Sequence, residues 1–381
     1  MNSDINRPLG QNSKRPKEKS DRKAGTRWLM PSAAVLGIGA VALLISLTSN
    51  HGFRNPPPEP KKPEIAEATP PQPKIASAAT KPPAASTRSE NVPTSPGGPK
   101  IIVVGDPARQ SQNPLTAHIP DRDLLEETAQ GLLPITAPDG RRPLDTYARS
   151  WSGARGARVA IVIGGLGMSQ TGTQRAIGVL PAEVTLAFAP EGNSLTRWMQ
   201  TARQSGHELL MQVPLEPFDY PRVNPGRNTL TVDAPAAETL DSLHKTMGRI
   251  TNYTGIVNYM GARFTADTKA MTSVMQDVAK RGLLYLDDGS SARSQADTIA
   301  AQQGTPFAAA DVLIDGSQDR GSILKKLDEL ERIARAKGTA IGTGSAFDVT
   351  VDAVAAWANE AKTRGIEIVP VSALVRDPEK G

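Results

Sequence analysis

The residues in this chain best suited to chemistry are carboxylates, amides and a phenol that stand just past short hydrophobic runs. In Leu284-Tyr-Leu-Asp-Asp-Gly-Ser-Ser291, two aspartates, Asp287 and Asp288, end an apolar stretch. A carboxylate withdrawn from water at such a place has its pKa raised toward the range of general acid/base work. The alternative is that Asp287 bonds neighbouring backbone amides while Asp288 caps the next turn. Asn258-Tyr-Met-Gly-Ala-Arg263 brings an amide, a phenol and a guanidinium close together. These groups suit sugar hydroxyls or carboxylates, and the Tyr259 ring offers a face for stacking. The same residues could form a turn in which Asn258 and Arg263 bond the backbone, and the sequence leaves both readings open. Glu216 is directed by Pro214 and Pro217 on either side, and Asp315 ends the run Asp311-Val-Leu-Ile-Asp315.

The elements that must position these groups are legible as alternation. Strand runs are expected at Val159–Ile163, Val184–Phe188, Glu208–Val213, Gly255–Asn258, Leu283–Asp287, Asp311–Asp315, Thr339–Gly342 and Glu367–Val371. Between them, apolar spacing predicts helices over Thr171–Val179, Ser194–Ser205, Ala236–Ile250, Lys269–Arg281, Ala292–Gln303, Arg320–Lys337 and Val351–Arg364. Gly206, Gly282, Gly338 and Gly365 each follow one of these helices, as closing glycines do. Strand and helix in alternation predict an α/β fold, a closed or nearly closed barrel with its site at the carboxyl ends of the strands. The residues there are Gly164, Gly165, Gln212 to Glu216, Asn258, Tyr259, Asp287, Asp288, Asp315 and Thr343.

Several classes of function are disfavoured. Val159-Ala-Ile-Val-Ile-Gly-Gly-Leu-Gly167 runs from a strand into glycines, but its spacing is not Gly-x-Gly-x-x-Gly, and no acidic residue ends the next strand. There is no cysteine, so disulfides, thiolate catalysis and cysteine-held zinc are excluded. Between Arg158 and Leu374 the only histidines are His207, at the start of a strand, and His244, within a helix, so a transition-metal site of several imidazoles is not expected. The formal net charge of +5 is matched by the first 27 residues alone, where eight basic residues stand against three acidic ones. The rest is balanced, so a nucleic-acid-binding core is not supported.

The chain divides by composition. After the basic tail 1–27, Leu29–Leu47 is 19 uncharged residues, the length that crosses a hydrocarbon layer of about 30 Å. Its basic leading flank predicts a cytoplasmic amino terminus and an inner-membrane, single-pass anchor over 28–48, with the bulk of the chain in the periplasm. A cleaved signal peptide ending near Ser46, Thr48 and Ser49 is the competing reading. Residues 51–100 hold thirteen of the 32 prolines, so 49–100 reads as an extended, disordered tether. Residues 101–150 read as a lead-in arm, with a short strand at Ile101–Val104, a short helix from Asp121 to Gly131, and Pro143–Trp151 packed on the outside of the barrel. The folded domain is then 151–377.

Ile161-Val-Ile-Gly-Gly-Leu-Gly167, Val213-Pro-Leu-Glu-Pro217, Asn258-Tyr-Met-Gly261, Leu286-Asp-Asp-Gly-Ser-Ser291, Asp311-Val-Leu-Ile-Asp315, Ala340-Ile-Gly342 and Val369-Pro-Val-Ser-Ala-Leu-Val375 together resemble the divergent polysaccharide deacetylase family. The resemblance implies a distorted (β/α) barrel and a hydrolase in which a bound divalent metal activates water and an aspartate acts as base. Where such members carry two aspartates and three histidines, this chain has Gly164, Gly165, Gln212, Tyr259 and Thr343. Glu216, Asp287 and Asp315 match the pattern. The expectation is therefore a membrane-anchored protein of cell-envelope carbohydrate metabolism, with no metal or other cofactor predicted. Asp287 is the expected acid/base, and Glu216, Asn258, Tyr259, Arg263, Asp288 and Asp315 are the expected contacts to an envelope polysaccharide. The alternative is a non-catalytic module that binds a glycan or an envelope protein.

Overall fold

The structure, a computed structural model, describes residues 115–380. The tail, the apolar run Leu29–Leu47, the proline-rich segment and the arm as far as residue 114 lie outside the described residues. Among the described residues no helix is long and apolar enough to cross a membrane.

A hairpin of Leu125–Thr128 (β1) and Gly131–Pro134 (β2) and a short helix, Pro143–Thr146 (α1), come first. The alternating part begins with Arg158–Leu166 (β3), Gln170–Val179 (α2), Thr185–Phe188 (β4), Leu195–Gln204 (α3), Leu209–Leu215 (β5), Ala236–Met247 (α4) and Gly255–Met260 (β6). It continues through Thr268–Lys280 (α5), Leu284–Asp287 (β7), Ala296–Gln303 (α6), Phe307–Ala309 (β8) and Val312–Leu313 (β9). Arg320–Lys337 (α7), Thr339–Ser345 (β10), Asp348–Thr363 (α8) and Glu367–Ile368 (β11) complete it. Ser169, Asp267 and Asp319 cap α2, α5 and α7 by accepting backbone N–H bonds. The four expected closing glycines all adopt positive φ, between +66° at Gly282 and +88° at Gly338.

One curled parallel sheet carries the order β8-β7-β6-β5-β4-β3-β10-β9, with β11 also beside β3. The expected strand Asp311–Asp315 shortens to β9, and β8, unforeseen, precedes it. The reason is that one stretch of chain serves both edges of the sheet. Its first half pairs Tyr285 with Phe307, and after the bend at Ala310 and Asp311 its second half pairs Gly342 with Val312. β3 runs three residues past its expected end because Leu166 still pairs with Phe188 beyond a register shift.

Period-two alternation sorts the strand residues into two layers. Val159, Ile161, Ile163, Leu209, Met211, Ile256 and Tyr285 pack with the helices in the larger core. Ala160, Val162, Ala187, Leu210, Val257, Leu284, Leu286 and Ile341 form the inner one, inside the curl.

The arm differs from expectation in two ways. Asp121 caps only the single turn Arg122–Leu124, and the chain then forms the β1–β2 hairpin in place of a helix. Nor does Pro143–Trp151 lie wholly outside. Leu144 is buried in the inner core with Val369 and Val371, and its N–H donates to the Gly282 carbonyl just before β7, at the amino-terminal end of the sheet.

Candidate functional site

The inner layer also explains the mouth. Two residues beyond Val162, Leu210, Val257, Leu286 and Ile341 on the same side of the pleat stand Gly164, Gln212, Tyr259, Asp288 and Thr343. All five line one cavity of about 330 Å³ at the carboxyl ends of the strands. A second cavity of similar size adjoins it, lined by Gly165, Met168, Ala189, Pro190, Pro214 and Phe347 among others. Gln212, Tyr259 and Ser345 belong to both.

Gln212 is held in a defined orientation. The Gly165 backbone N–H donates to its Oε1 at 2.7 Å, so its other end is the NH2 group. That NH2 lies over Gly164, where a Cβ would stand 2.6 Å from it. Tyr259 is 42% exposed and forms the wall between the cavities. Asp288 accepts from Ser290 N–H at 2.9 Å, and burial pushes its carboxyl above the ordinary aspartate range. Asn258 receives the Asp288 N–H on Oδ1 at 2.9 Å and donates from Nδ2 to the Met260 carbonyl at 2.8 Å. Both ends of this amide are thus committed to shaping the rim.

The remaining candidates lie elsewhere. Asp287 sits on the opposite side of the pleat from Asp288. It is 5% exposed and accepts from Gly289 N–H and the Ser294 hydroxyl, and it lines neither cavity. Glu216 is buried and accepts from Val232 N–H at 2.7 Å and from the Arg263 guanidinium, which also reaches Asp233 at 3.0 Å. The pair ties the excursion after β5 to the turn after β6 and leaves both residues off the cavity walls. Asp315 accepts from Ser345 N–H at 2.6 Å and Thr350 at 3.1 Å, and burial raises its pKa. Asp288, Tyr259 and the rim amide of Asn258 are therefore brought together, and Asp287, Glu216, Arg263 and Asp315 hold the loops around them. Gln212 and Thr343 could have been ranked with Asp288 by counting two residues on from the inner apolar layer. For Met168, Pro190 and Phe347, which come from loops and helix starts, the sequence carries no comparable signal.

Residues 161–375 match the sequence model of a family described as divergent polysaccharide deacetylase. The chain belongs to this family. A crystal structure of protein ATU2773 from Agrobacterium tumefaciens C58 is similar, with 59% identity and a TM-score of 0.63 over 64% of this chain and 99% of that one. Protein YibQ of Escherichia coli is 24% identical over 222 residues, 58% of this chain and 68% of its own length. A Haemophilus influenzae protein is 26% identical over 188 residues, 49% of this chain and 66% of its own. The chain spans about two thirds of the length of these two relatives.

The residues present do not fit the divalent metal that the family resemblance implies. A side chain at position 164 would have to displace the Gln212 amide from its bond to Gly165, and Gly165, at φ +79°, has a backbone that L-residues rarely adopt. Amide, phenol and hydroxyl at Gln212, Tyr259 and Thr343 replace imidazoles, and among the described residues no three His, Asp or Glu side chains converge. This donor set is weak for a transition metal.

Proposed function

We propose that this chain is a membrane-anchored, extracytoplasmic member of its family that engages an envelope glycan at the mouth of a distorted (β/α) barrel, without the family's metal-dependent hydrolysis. In this reading Leu29–Leu47 spans the inner membrane, 1–27 faces the cytoplasm, 49–100 is the tether, and the domain within 151–377 works in the periplasm. The observation that carries the reading is Gln212, whose amide is bonded to Gly165 and occupies the space over Gly164. A neutral hydrogen-bonding wall suits hydroxyl and carbonyl groups, and Tyr259 beside it offers an aromatic face to a sugar ring. The expected role is recognition within cell-envelope carbohydrate metabolism.

The test uses the full-length protein, titrated with zinc, nickel, cobalt and manganese and then with envelope glycan fragments. Glycan binding that is insensitive to chelator, without stoichiometric tight metal, is the expected result. Tight metal together with metal-dependent release of acetate would replace this reading by deacetylation. One observation favours a second reading, a metal-free acid/base role: Asp288 faces the cavity with a raised pKa. Turnover abolished by Asp288→Asn with binding retained would establish it.

A further inference from the structure

Every charged side chain that borders the two cavities is acidic. The mouth carries Asp288 and the adjoining chamber carries Glu191, and no lysine, arginine or histidine lines either. An anionic ligand would meet only repulsion there. The two carboxylates are not equivalent. Glu191 is exposed and accepts from the Arg227 N–H, so water and salt screen its charge. Asp288 is withdrawn from water and has no cation beside it among the described residues. Elsewhere the domain supplies its withdrawn aspartates with partners. Arg142 holds Asp145 and Asp377, and Arg281 holds Asp277. Asp287 and Asp315 each accept from one hydroxyl and one backbone N–H. The Asp288 carboxylate has a single hydrogen bond, from Ser290 N–H to Oδ1 at 2.9 Å, which leaves Oδ2 to the cavity.

The neighbour of Asp288 in the mouth is aromatic. Val257 of β6 pairs with Leu286 of β7, and both belong to the inner layer. Two residues further on, Tyr259 and Asp288 therefore stand side by side at the ends of adjacent strands, both facing the mouth. A carboxylate beside an open aromatic face suits an ammonium group, which is drawn to the ring by its π-system and to the carboxylate by its charge. We infer that the mouth takes a glycan bearing a free amine, with the ammonium between Asp288 Oδ2 and the Tyr259 ring, and that it discriminates against the same glycan with that amine acetylated. Acetylation removes the positive charge and leaves the carboxylate unpaired in the complex. This inference rests on the glycan reading above and narrows it to amino sugars.

The experiment is calorimetric titration of the full-length chain in phosphatidylcholine nanodiscs at neutral pH, with empty nanodiscs as the blank. The probes are short β-linked oligosaccharides of glucose, N-acetylglucosamine and glucosamine, which share a backbone and differ in a hydroxyl, an acetamido or an amino group on each ring. Ethanolamine serves as the amine without a sugar. The glucosamine oligomer should bind about tenfold more tightly than the other two. Asp288→Asn should remove that preference, and Tyr259→Leu, which keeps an apolar side chain without the ring, should narrow it. Equal affinity across the three oligosaccharides overturns the inference and leaves the glycan reading standing; no binding by any of them overturns both. A preference that survives Asp288→Asn places the amine away from the mouth and overturns the inference, as does ethanolamine binding as tightly as the glucosamine oligomer. Should Asp288→Asn fail to fold, Tyr259→Leu carries the same test.

Discussion

The two ends of the sheet treat polar groups in opposite ways. At the amino-terminal end, charges are buried and given partners. Glu208, fully buried, accepts from Arg149 N–H and Ser372 N–H, each at 3.0 Å, and from the Ser372 hydroxyl. Burial raises its pKa and lowers that of nearby Arg203 to about 10, while Arg203 donates to the Tyr147 and His207 carbonyls at 3.0 and 2.9 Å. His207 is buried beside them with its ring nitrogens 2.8 and 3.3 Å from the Val184 and Ile177 carbonyls. Around the outside, Arg142 joins Asp145 to Asp377, and Arg281 joins Asp277 to Glu126. These bonds fasten the arm and the carboxyl-terminal segment to the sheet. At the carboxyl-terminal end, by contrast, Gln212 keeps an unused donor, and Met168, Tyr259, Leu313 and Phe347 stay exposed at the rim. The bonded charges at one end serve stability, though Arg149 Nε and Arg158 Nε there lack a partner, and the spare donor of Gln212 at the other is available to a ligand.

That contrast can be broken by substitution. Glu208→Ala at the closed end should be the most damaging change, costing about 3 kcal/mol or more because three donors lose their acceptor and the buried Arg203 loses a nearby opposite charge. Denaturant unfolding would measure it, and a loss under 1 kcal/mol would mean the closed end is not the stabilising one. Leu144→Ala should cost about 2–5 kcal/mol by opening a cavity in the inner core, visible as a lowered melting temperature. At the mouth the order of effects should reverse. Gln212→Ala strands the Gly165 N–H, so about 1 kcal/mol of stability is expected to go, with glycan affinity falling tenfold or more. Tyr259→Ala should change stability by about 0.5 kcal/mol or less, since the ring is half exposed, yet weaken binding clearly.

The smallest effect, and the sharpest in sign, concerns pH. Burial raises the Asp288 pKa in the folded state, so the protonated carboxyl is the form the fold prefers. Its contribution is fully present below the unfolded value of about 3.9 and is lost as pH rises through the folded pKa. Asp288→Asn should therefore raise the melting temperature at neutral pH, and the gain should fade as pH falls toward about 3.9. A gain that is equal at both ends of the range would place Asp288 in water and not in the cavity wall.

Much of this architecture was legible because it is periodic. α7 falls at Arg320–Lys337 as its spacing and closing glycine indicate, and most strands lie within a few residues of their apolar runs. The arm was not, because β1 reads Leu-Glu-Glu-Thr, which offers no apolar run to detect, and depends on its partner β2. In the site, the adjacent pair Asp287 and Asp288 marked the right strand end, but adjacency could not say which of them faces inward. The pleat decides it: Leu286 belongs to the inner core, so Asp288 enters the cavity and Asp287 turns to Gly289 and Ser294.

By itself the sequence determined the α/β alternation, the strand ends where polar groups gather, and the residue types Gly164, Gly165, Gln212, Tyr259 and Thr343, which its resemblance to the family marks as departures from a metal-binding set. These are properties of local pattern and residue identity, which need no knowledge of what lies across the fold. Only the tertiary structure decided that Gln212 fills the space over Gly164, that Glu216 binds Arg263 away from the cavities, and that an apolar chamber opens beside the mouth. Each of those joins residues tens of positions apart, and such contacts exist only once the sheet has curled and brought its strand ends together.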